Sequence, residues 1–522
     1  MNILEITEYD LFGRAFNGYD IMCEMNAENR ANVSMKVLRK FSPSKQVVPL
    51  FQFKKEIKIS DDLRSAEKEF LNMMSVISIS SPALYESEEY KMADVAHYHQ
   101  FHNSNLGFFE LEKEALLKPT IISFHDPWMM TGRCVHMRDC EGFKTGCHNC
   151  QRLDTLFDFK EDMSHEMWKI KSDFFKSADV DIIVHSDYMY RLAKENPYTK
   201  NAAIHLIPFG VDVNDFCLNK TKAESRKEFG IPENNFVLFF RQQADFKGTN
   251  YIVEALSRLE NTENITLLTC SEKGLLKSIA DRFQIIELGG VSMDTIKECY
   301  NACDVFLMPS IGESFGMMAV EAMASGKPVV VFDNTALPSV TNAPEIGVLV
   351  RDLDSFDLYK KIKHLIDNPE ECEKRGKAGR EFVSQKYSPE VYKKKIEEVY
   401  ISAYNRQKYK LENVHKELSF DKSDTEVEKL LYHLDKVFKT VFKNKSIAIL
   451  KDAKFTPCAA NQIDFENENV KAAVMTFNLE CRNILKKQWP ILLVKRKFRS
   501  LLWRIYVLFW NIFVKPFKKQ KF

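Results

Sequence analysis

Between two apolar runs, residues 305–308 and 328–332, the sequence reads PSIGESFGMMAVEAMASGKP, with Glu313 and Glu321 eight positions apart. Gly312 and Gly316 stand on either side of Phe315 and let the backbone turn tightly into a helix. The unpaired N–H groups at such a helix start attract a phosphate through hydrogen bonds and the macrodipole. A carboxylate beside an anion is useful only when it faces away from the phosphate, toward hydroxyls. The sugar and the ribose at the two ends of a nucleotide-sugar supply such hydroxyls. Two glutamates on a helix can also form a solvated face, but the position between two apolar strands disfavours that reading. Gly326 and Lys327 look like the end of a phosphate loop, yet position 321 is Glu where that loop needs Gly, and Pro328 follows the lysine.

Other residues of chemical interest follow apolar runs in the same way. Arg241 and Lys247 come after residues 236–240 (FVLFF), where two cations can neutralise a diphosphate leaving group as its bond breaks. His125, with Asp126 beside it, follows residues 120–124 (TIISF) and is placed to touch the reacting sugar. Gly13, in the loop FGRAFNGYD after the first apolar run, lets backbone approach a ligand. Downstream of His125, Cys134, Cys140, Cys147 and Cys150 are spaced C-x5-C-x6-C-x2-C, with His136 and His148 as possible substitutes. Four thiolates can complete a tetrahedral Zn²⁺ site that clips a polar, glycine-rich loop, or they can remain four free thiols. Such a metal would be structural, because helix amides and basic side chains bind diphosphate without one; no cofactor is expected to be required for catalysis.

These residues need elements that aim them. Short apolar runs at 2–6, 93–97, 120–124 and 181–184 alternate with segments of helical period, and the pattern restarts with runs at 236–240, 265–269, 305–308 and 328–332. Alternation of this kind predicts an α/β protein of parallel sheets, whose ligands sit outside the carboxyl ends of the strands. The expected organisation is a first Rossmann-like domain over 1–207, a second over 208–404, a polar and weakly periodic extension over 405–485, and a basic aromatic tail over 486–522. Ser388 and Pro389 open a long helix that closes the second domain, with Tyr392, Ile396, Val399, Tyr400 and Ala403 on one face.

The 522 residues are 45% hydrophobic and 28% charged, which is ordinary for a globular protein and sufficient for two or three cores. The net charge of +1 divides into −12 before residue 405 and +13 after it. The acidic balance of the first part argues against a nucleic-acid protein. Residues 1–10 lack the pattern of a secretory signal, so a cytoplasmic location is expected and twelve cysteines read as thiols or metal ligands. In the tail, Trp503, Tyr506, Phe509, Trp510 and Phe513 interleave with Lys and Arg, and no acid follows Glu480. That composition suits a helix lying at an anionic membrane surface, or a final amphipathic helix packed on the protein's own core.

The Glu-x7-Glu loop and helix resembles the signature of the retaining, two-Rossmann-domain (GT-B) glycosyltransferases of family 4. The resemblance extends over residues 1–404 through ADVAHYH (93–99), HSD (185–187), IPFGVD (207–212) and LGGVS (288–292). It implies that Glu313 contacts hydroxyls of a donor sugar and that Glu321 binds the ribose. It further implies that the backbone of Ser314, Phe315, Gly316, Met317 and Met318 holds sugar and diphosphate, and that Val291 lies in the base pocket. Arg241, Lys247 and His125 would attend the reacting centre; the spacing to Arg241 is one residue longer than the family's commonest form, and the loop at Gly13 is poorer in glycine. The cysteine segment resembles a subset that builds bacterial exopolysaccharide and lipopolysaccharide-type glycans. The implied reaction moves a hexose-type sugar from a nucleotide diphosphate to a glycan or polyprenyl-diphosphate-linked acceptor, at the inner face of the cytoplasmic membrane. A nucleotide-sugar epimerase on the same fold and an inactive membrane-associated scaffold of a glycan-assembly complex are the alternatives.

Overall fold

The computed structural model describes residues 1–153, 159–244, 246–407, 419–443 and 445–486. Its contacts divide the chain into two compact units. The first comprises Met1–Pro49, Glu88–Ser104 and Leu111–His415; the second comprises Leu50–Ser87, Asn105–Glu110 and Lys416–Phe522.

The first unit holds two parallel sheets. One is built from β1 (Asn2–Tyr9), β2 (Asn32–Arg39), β3 (Val47–Pro49), β4 (Val95–His99), β5 (Thr120–Phe124), β6 (Val180–Val184) and β7 (Ala203–Leu206), in the order β3-β2-β1-β4-β5-β6-β7. The other is built from β8 (Phe236–Gln242), β9 (Ile265–Ser271), β10 (Gln284–Glu287), β11 (Val305–Met308), β12 (Val329–Phe332) and β13 (Val348–Val350), in the order β10-β9-β8-β11-β12-β13. These are two doubly wound, Rossmann-like sheets, as the alternation predicts. The central strands β4, β5, β6, β11 and β12 are buried at every position, which is why β11 and β12 read as unbroken apolar runs and the others as mainly apolar ones.

β4 lies two residues later than the run at 93–97, because Asp94 is held at its start by the Asn2 backbone N–H at 2.7 Å. His97 and His99 therefore both fall inside β4, on one face of it. The helix Pro389–Gln407 follows the second sheet in sequence yet packs on the first. Its Ile396, Val399, Tyr400 and Ala403 are buried with Ile3, Val33, Val95 and Ile121. The face expected from its period is thus the buried one, but its partner is the other sheet.

The second unit is helical where it is described. The helix Thr425–Phe442 buries Val427, Leu430, Leu431, Leu434, Val437 and Phe438, a spacing of three and four that puts them on one side. It packs with the helix Lys54–Leu71, and His433 Nδ1 lies 2.8 Å from the Phe70 carbonyl. A further helix over 468–486 brings Arg482 to buried Glu56 at 2.9 Å. Of residues 405–485, expected as an extension of their own, those described over 419–443 and 445–485 thus belong with residues 50–87 to the second unit. The basic tail lies outside the described residues beyond Lys486, and among the described residues no helix is long and apolar enough to cross a membrane.

One close approach fixes the floor of the second sheet's crevice. Gly248 has φ +72°, and a Cβ there would stand 1.9 Å from the Pro309 carbonyl oxygen. Only glycine allows the loop after β8 to lie against the loop after β11. Gly248→Ala is therefore expected to destabilise the protein by about 2–4 kcal/mol and to lower its thermal midpoint. An unchanged midpoint in calorimetry would show that the two loops are not in contact.

Candidate functional site

Each sheet reverses its strand order at one place, between β1 and β4 in the first and between β8 and β11 in the second. Strand order of this kind leaves a crevice where successive connections depart to opposite faces, and ligands bind there. A cavity of about 720 Å³ lies at both switch points. Its walls include Phe16 after β1, Gln100, His102 and Asn103 after β4, and Lys247, Ser310, Glu313 and Gly316 after β8 and β11.

The second sheet supplies the wall with the richer chemistry. Gly316 caps the helix Met317–Ala324 at φ 101°, and a Cβ there would meet Leu337 Cδ2 at 2.5 Å. The left-handed glycine turns the chain so that Ser314, Phe315, Gly316, Met317 and Met318 all line the cavity. Phe315 is also a core residue, its ring 5.2 Å from Phe209 and 5.6 Å from Tyr387, so only its backbone is free for a ligand. The Ser314 carbonyl accepts from Ser186 Oγ at 2.5 Å, and Ser314 Oγ is buried without a partner. The 185–187 segment of the first sheet thus braces the loop from below.

Glu313 and Glu321 both line this cavity in different states. Glu313 accepts from Lys247 Nζ at 2.6 Å, so the lysine expected at a diphosphate is paired with the acid expected at a sugar. Glu321 is 6% exposed and accepts from Tyr300 Oη at 3.0 Å. Burial raises its pKa to about 7, against which the Tyr300 hydrogen bond and Lys297 only partly act. Arg241 is the sixth residue of β8, exposed, and on the same wall. Val291 also lines it, with Ser271 and Gly290.

The first sheet supplies aromatic and imidazole surface. The rings of His125 and His185 stack at 5.2 Å and 11°, and Phe209 stacks on His185 at 3.7 Å. His125 Nε2 lies 3.0 Å from His99 Nδ1, and burial together with neighbouring His185 and His99 holds its pKa well below the usual imidazole range. Gly13 is not on the cavity wall; its place is taken by Phe16, whose ring packs against the Gly13 Cα. His136 was expected only as a substitute metal ligand, yet it lines the cavity beside Gly312 and Phe246. Its part could not be read locally, since Gly312 is far from it in sequence.

Cys134, Cys140, Cys147 and Cys150 share one loop and lie close enough to influence one another's titration, but no three of their sulfurs lie within 4.8 Å of one another. Cys134 and Cys150 form a hydrogen-bonded thiol pair, in which the Cys150 pKa is lowered to about 6, and the sulfurs of Cys140 and Cys147 both lie beside Gly142. Zinc held by four thiolates brings their sulfurs within about 4 Å of one another. Among the described residues, the group of three whose ligand atoms all lie within 4.8 Å is Glu5, His97 and His99, not the cysteines. Just before this loop, buried Lys171 donates to the Trp128 and Thr131 carbonyls at 2.7 and 2.8 Å. A four-cysteine zinc would require this loop to close further than it does here.

Residues 221–382 match the family model described as glycosyl transferases group 1. The mannosylfructose-phosphate synthase of Agrobacterium fabrum is 30% identical over 239 residues, covering 41% of this chain and 51% of that one. The chain spans about half the length of the curated relatives it matches. Among solved structures, the sucrose-phosphate synthase of Thermosynechococcus elongatus superposes with a TM-score of 0.56 at 16% identity, over 78% of this chain and 100% of that one. HepE of Anabaena, solved in complex with UDP-glucose, superposes with a TM-score of 0.53 at 15% identity, over 77% and 100%. The fold is GT-B, and within it residues 221–382 are similar to the glycosyl transferases group 1 family.

Proposed function

We propose that this chain is a retaining glycosyltransferase of family 4 that moves a hexose-type sugar from a nucleotide diphosphate to an acceptor hydroxyl. The observation that carries the reading is the shared wall of one cavity: a helix start, two cations and two carboxylates, all within the residues similar to the glycosyl transferases group 1 family. Peptide N–H groups at Gly316 to Met318 suit the diphosphate, which binds where a helix exposes its donors. Lys247 and Arg241 suit the charge that grows on the leaving diphosphate. On this reading the donor's phosphate competes with Glu313 for Lys247, and Glu313 is then free to accept from sugar hydroxyls.

Retention is proposed to follow a front-face course, in which the departing diphosphate oxygen takes the proton of the acceptor hydroxyl. Among the described residues the acids on the cavity wall have other engagements than those of a two-carboxylate hydrolase: Glu313 is tied to Lys247, Glu321 lies inside a helix, and Asp126 accepts from the Trp128 backbone N–H. His125, held neutral by its surroundings, orients hydroxyls instead of storing a proton. The acceptor is proposed to be a glycan or a polyprenyl-diphosphate-linked glycan of surface polysaccharide synthesis, met at the inner membrane surface by the basic tail.

Three outcomes test this. Incubating the protein with UDP-, GDP- and dTDP-sugars should release nucleoside diphosphate in step with glycosylation of a lipid-linked acceptor, and Glu313→Gln should lower that rate about 100-fold. Isomerised donor without acceptor would indicate an epimerase, and an unaltered glycan yield in the variant would indicate a scaffold. Nucleotide binding should also release a proton. Ribose hydroxyls that donate to Glu321 favour its carboxylate, so affinity should rise as the pH rises from 6 toward its value of about 7 and level off above it. Calorimetry in buffers of different ionisation enthalpy reads this directly, and pH-independent affinity would place the ribose elsewhere. Finally, removal of residues 486–522 should release the protein from membranes; a shortened form still in the membrane fraction would exclude the tail as the anchor.

A further inference from the structure

Behind His125 the first sheet carries a buried acid that the chemistry above does not use. Glu5 lies on β1 in register with His97 on β4, so Glu5, His97 and His99 share one face of adjacent strands. The Glu5 side chain is 0% exposed. Its Oε2 lies 2.7 Å from His99 Nε2 and 3.1 Å from His97 Nδ1, and its Oε1 accepts from Tyr400 Oη at 2.5 Å. His97 Nε2 meets Ser123 Oγ at 2.8 Å. These donors outweigh the cost of burying the charge, and the Glu5 pKa is lowered to about 2.

A carboxylate can only accept hydrogen bonds, and that fixes the protons one by one. His99 Nε2 must carry hydrogen to bond Glu5. Burial lowers the His99 pKa to about 4, so the ring is neutral and its Nδ1 is a lone-pair acceptor. His125 Nε2, 3.0 Å from that nitrogen, must then be the donor. His125 is also neutral, so its Nδ1 carries no proton, and Nδ1 is the atom of His125 that is buried without a protein partner, in a residue that lines the cavity. His185, stacked on His125, has the opposite form, since its Nδ1 lies 2.8 Å from the Ile207 carbonyl, which can only accept.

We infer that Glu5, acting through His99, fixes His125 in its Nε2–H tautomer, which leaves Nδ1 a bare nitrogen, so that any hydrogen bond a ligand forms there has His125 as the acceptor and not as the donor. Glu5 and His99 are positioning residues, two and one hydrogen bonds removed from the cavity. A partnerless buried acceptor costs free energy, and a hydroxyl brought to Nδ1 would relieve that cost by donating to it. The identity of that hydroxyl, on a sugar, rests on the proposed function; the tautomer does not. The arrangement also accounts for the group of metal-ligand types at Glu5, His97 and His99, each of which already has protein partners.

The test is a long-range ¹H–¹⁵N correlation spectrum of the full chain labelled at its histidine rings, with His125 assigned by loss of its signals in His125→Gln. The expected result at pH 7 is a neutral His125 with Nε2 protonated and Nδ1 at the downfield position of a bare ring nitrogen, beside a His185 of the reverse pattern. In the paired variant Glu5→Leu/His99→Phe, which removes acid and relay together, the two His125 nitrogens should move toward averaged positions. Tyr400→Phe, which takes one donor from Glu5 but leaves the relay, should not move them. A wild-type His125 protonated at Nδ1, or at both nitrogens, overturns the inference even if no variant folds. So does a paired variant whose His125 keeps the wild-type pattern. Loss of sugar transfer with the tautomer as expected would count against the proposed function alone.

Discussion

An anion held by peptide groups, as proposed here, needs a helix whose first turn is left open, and on the second sheet's side of the cavity Gly248, Phe315 and Gly316 shape such an opening. Gly316 takes the left-handed turn, Phe315 is drawn into the core against Phe209 and Tyr387, and the chain between them cannot cover the N–H groups that follow. Gly248 lets the loop bearing Lys247 lie on Pro309, which brings the ammonium to Glu313. The ion pair keeps a cation beside the helix start before any ligand arrives. A phosphate that enters finds both donors and charge already in place, which spares the reorganisation that would otherwise weaken binding.

The first sheet answers with a different device. It places buried imidazoles in a row, each with its proton assigned by a fixed acceptor: Glu5 for His99 and the Ile207 carbonyl for His185. The helix Pro389–Gln407 contributes Tyr400 to this row and also packs on the sheet, so the same segment that follows the second sheet in sequence completes the polar interior of the first. Joining the halves in this way makes the geometry of His125 depend on residues from 5 to 400.

What could be read in the sequence was local. Buried parallel strands announce themselves as apolar runs, and the eight runs named at the outset are all strands, one of them shifted by the bond at Asp94. Edge strands such as Gln284–Glu287 and short ones such as Val348–Val350 carry no such signal, because half-buried or three-residue strands need no continuous apolar pattern. Glu313 and Glu321 were legible because one loop and one helix hold both. His136 and Glu5 were not, since Gly312 and strand register bring them into place over long separations. The joining of residues 50–87 with 419–443 and 445–486 was hidden for the same reason, and the cysteine spacing shows a shared loop but not how closely its sulfurs approach.

The central claim is that a nucleoside diphosphate sits on the opening of the Met317–Ala324 helix. A crystal structure of the protein grown with UDP, GDP or dTDP tests it most directly. The account expects the β-phosphate at the N–H groups of Gly316 to Met318, with Lys247 turned from Glu313 onto it and the ribose within hydrogen-bond reach of Glu321. A nucleotide bound elsewhere, or a phosphate held away from that helix with the Lys247–Glu313 pair intact, would contradict it.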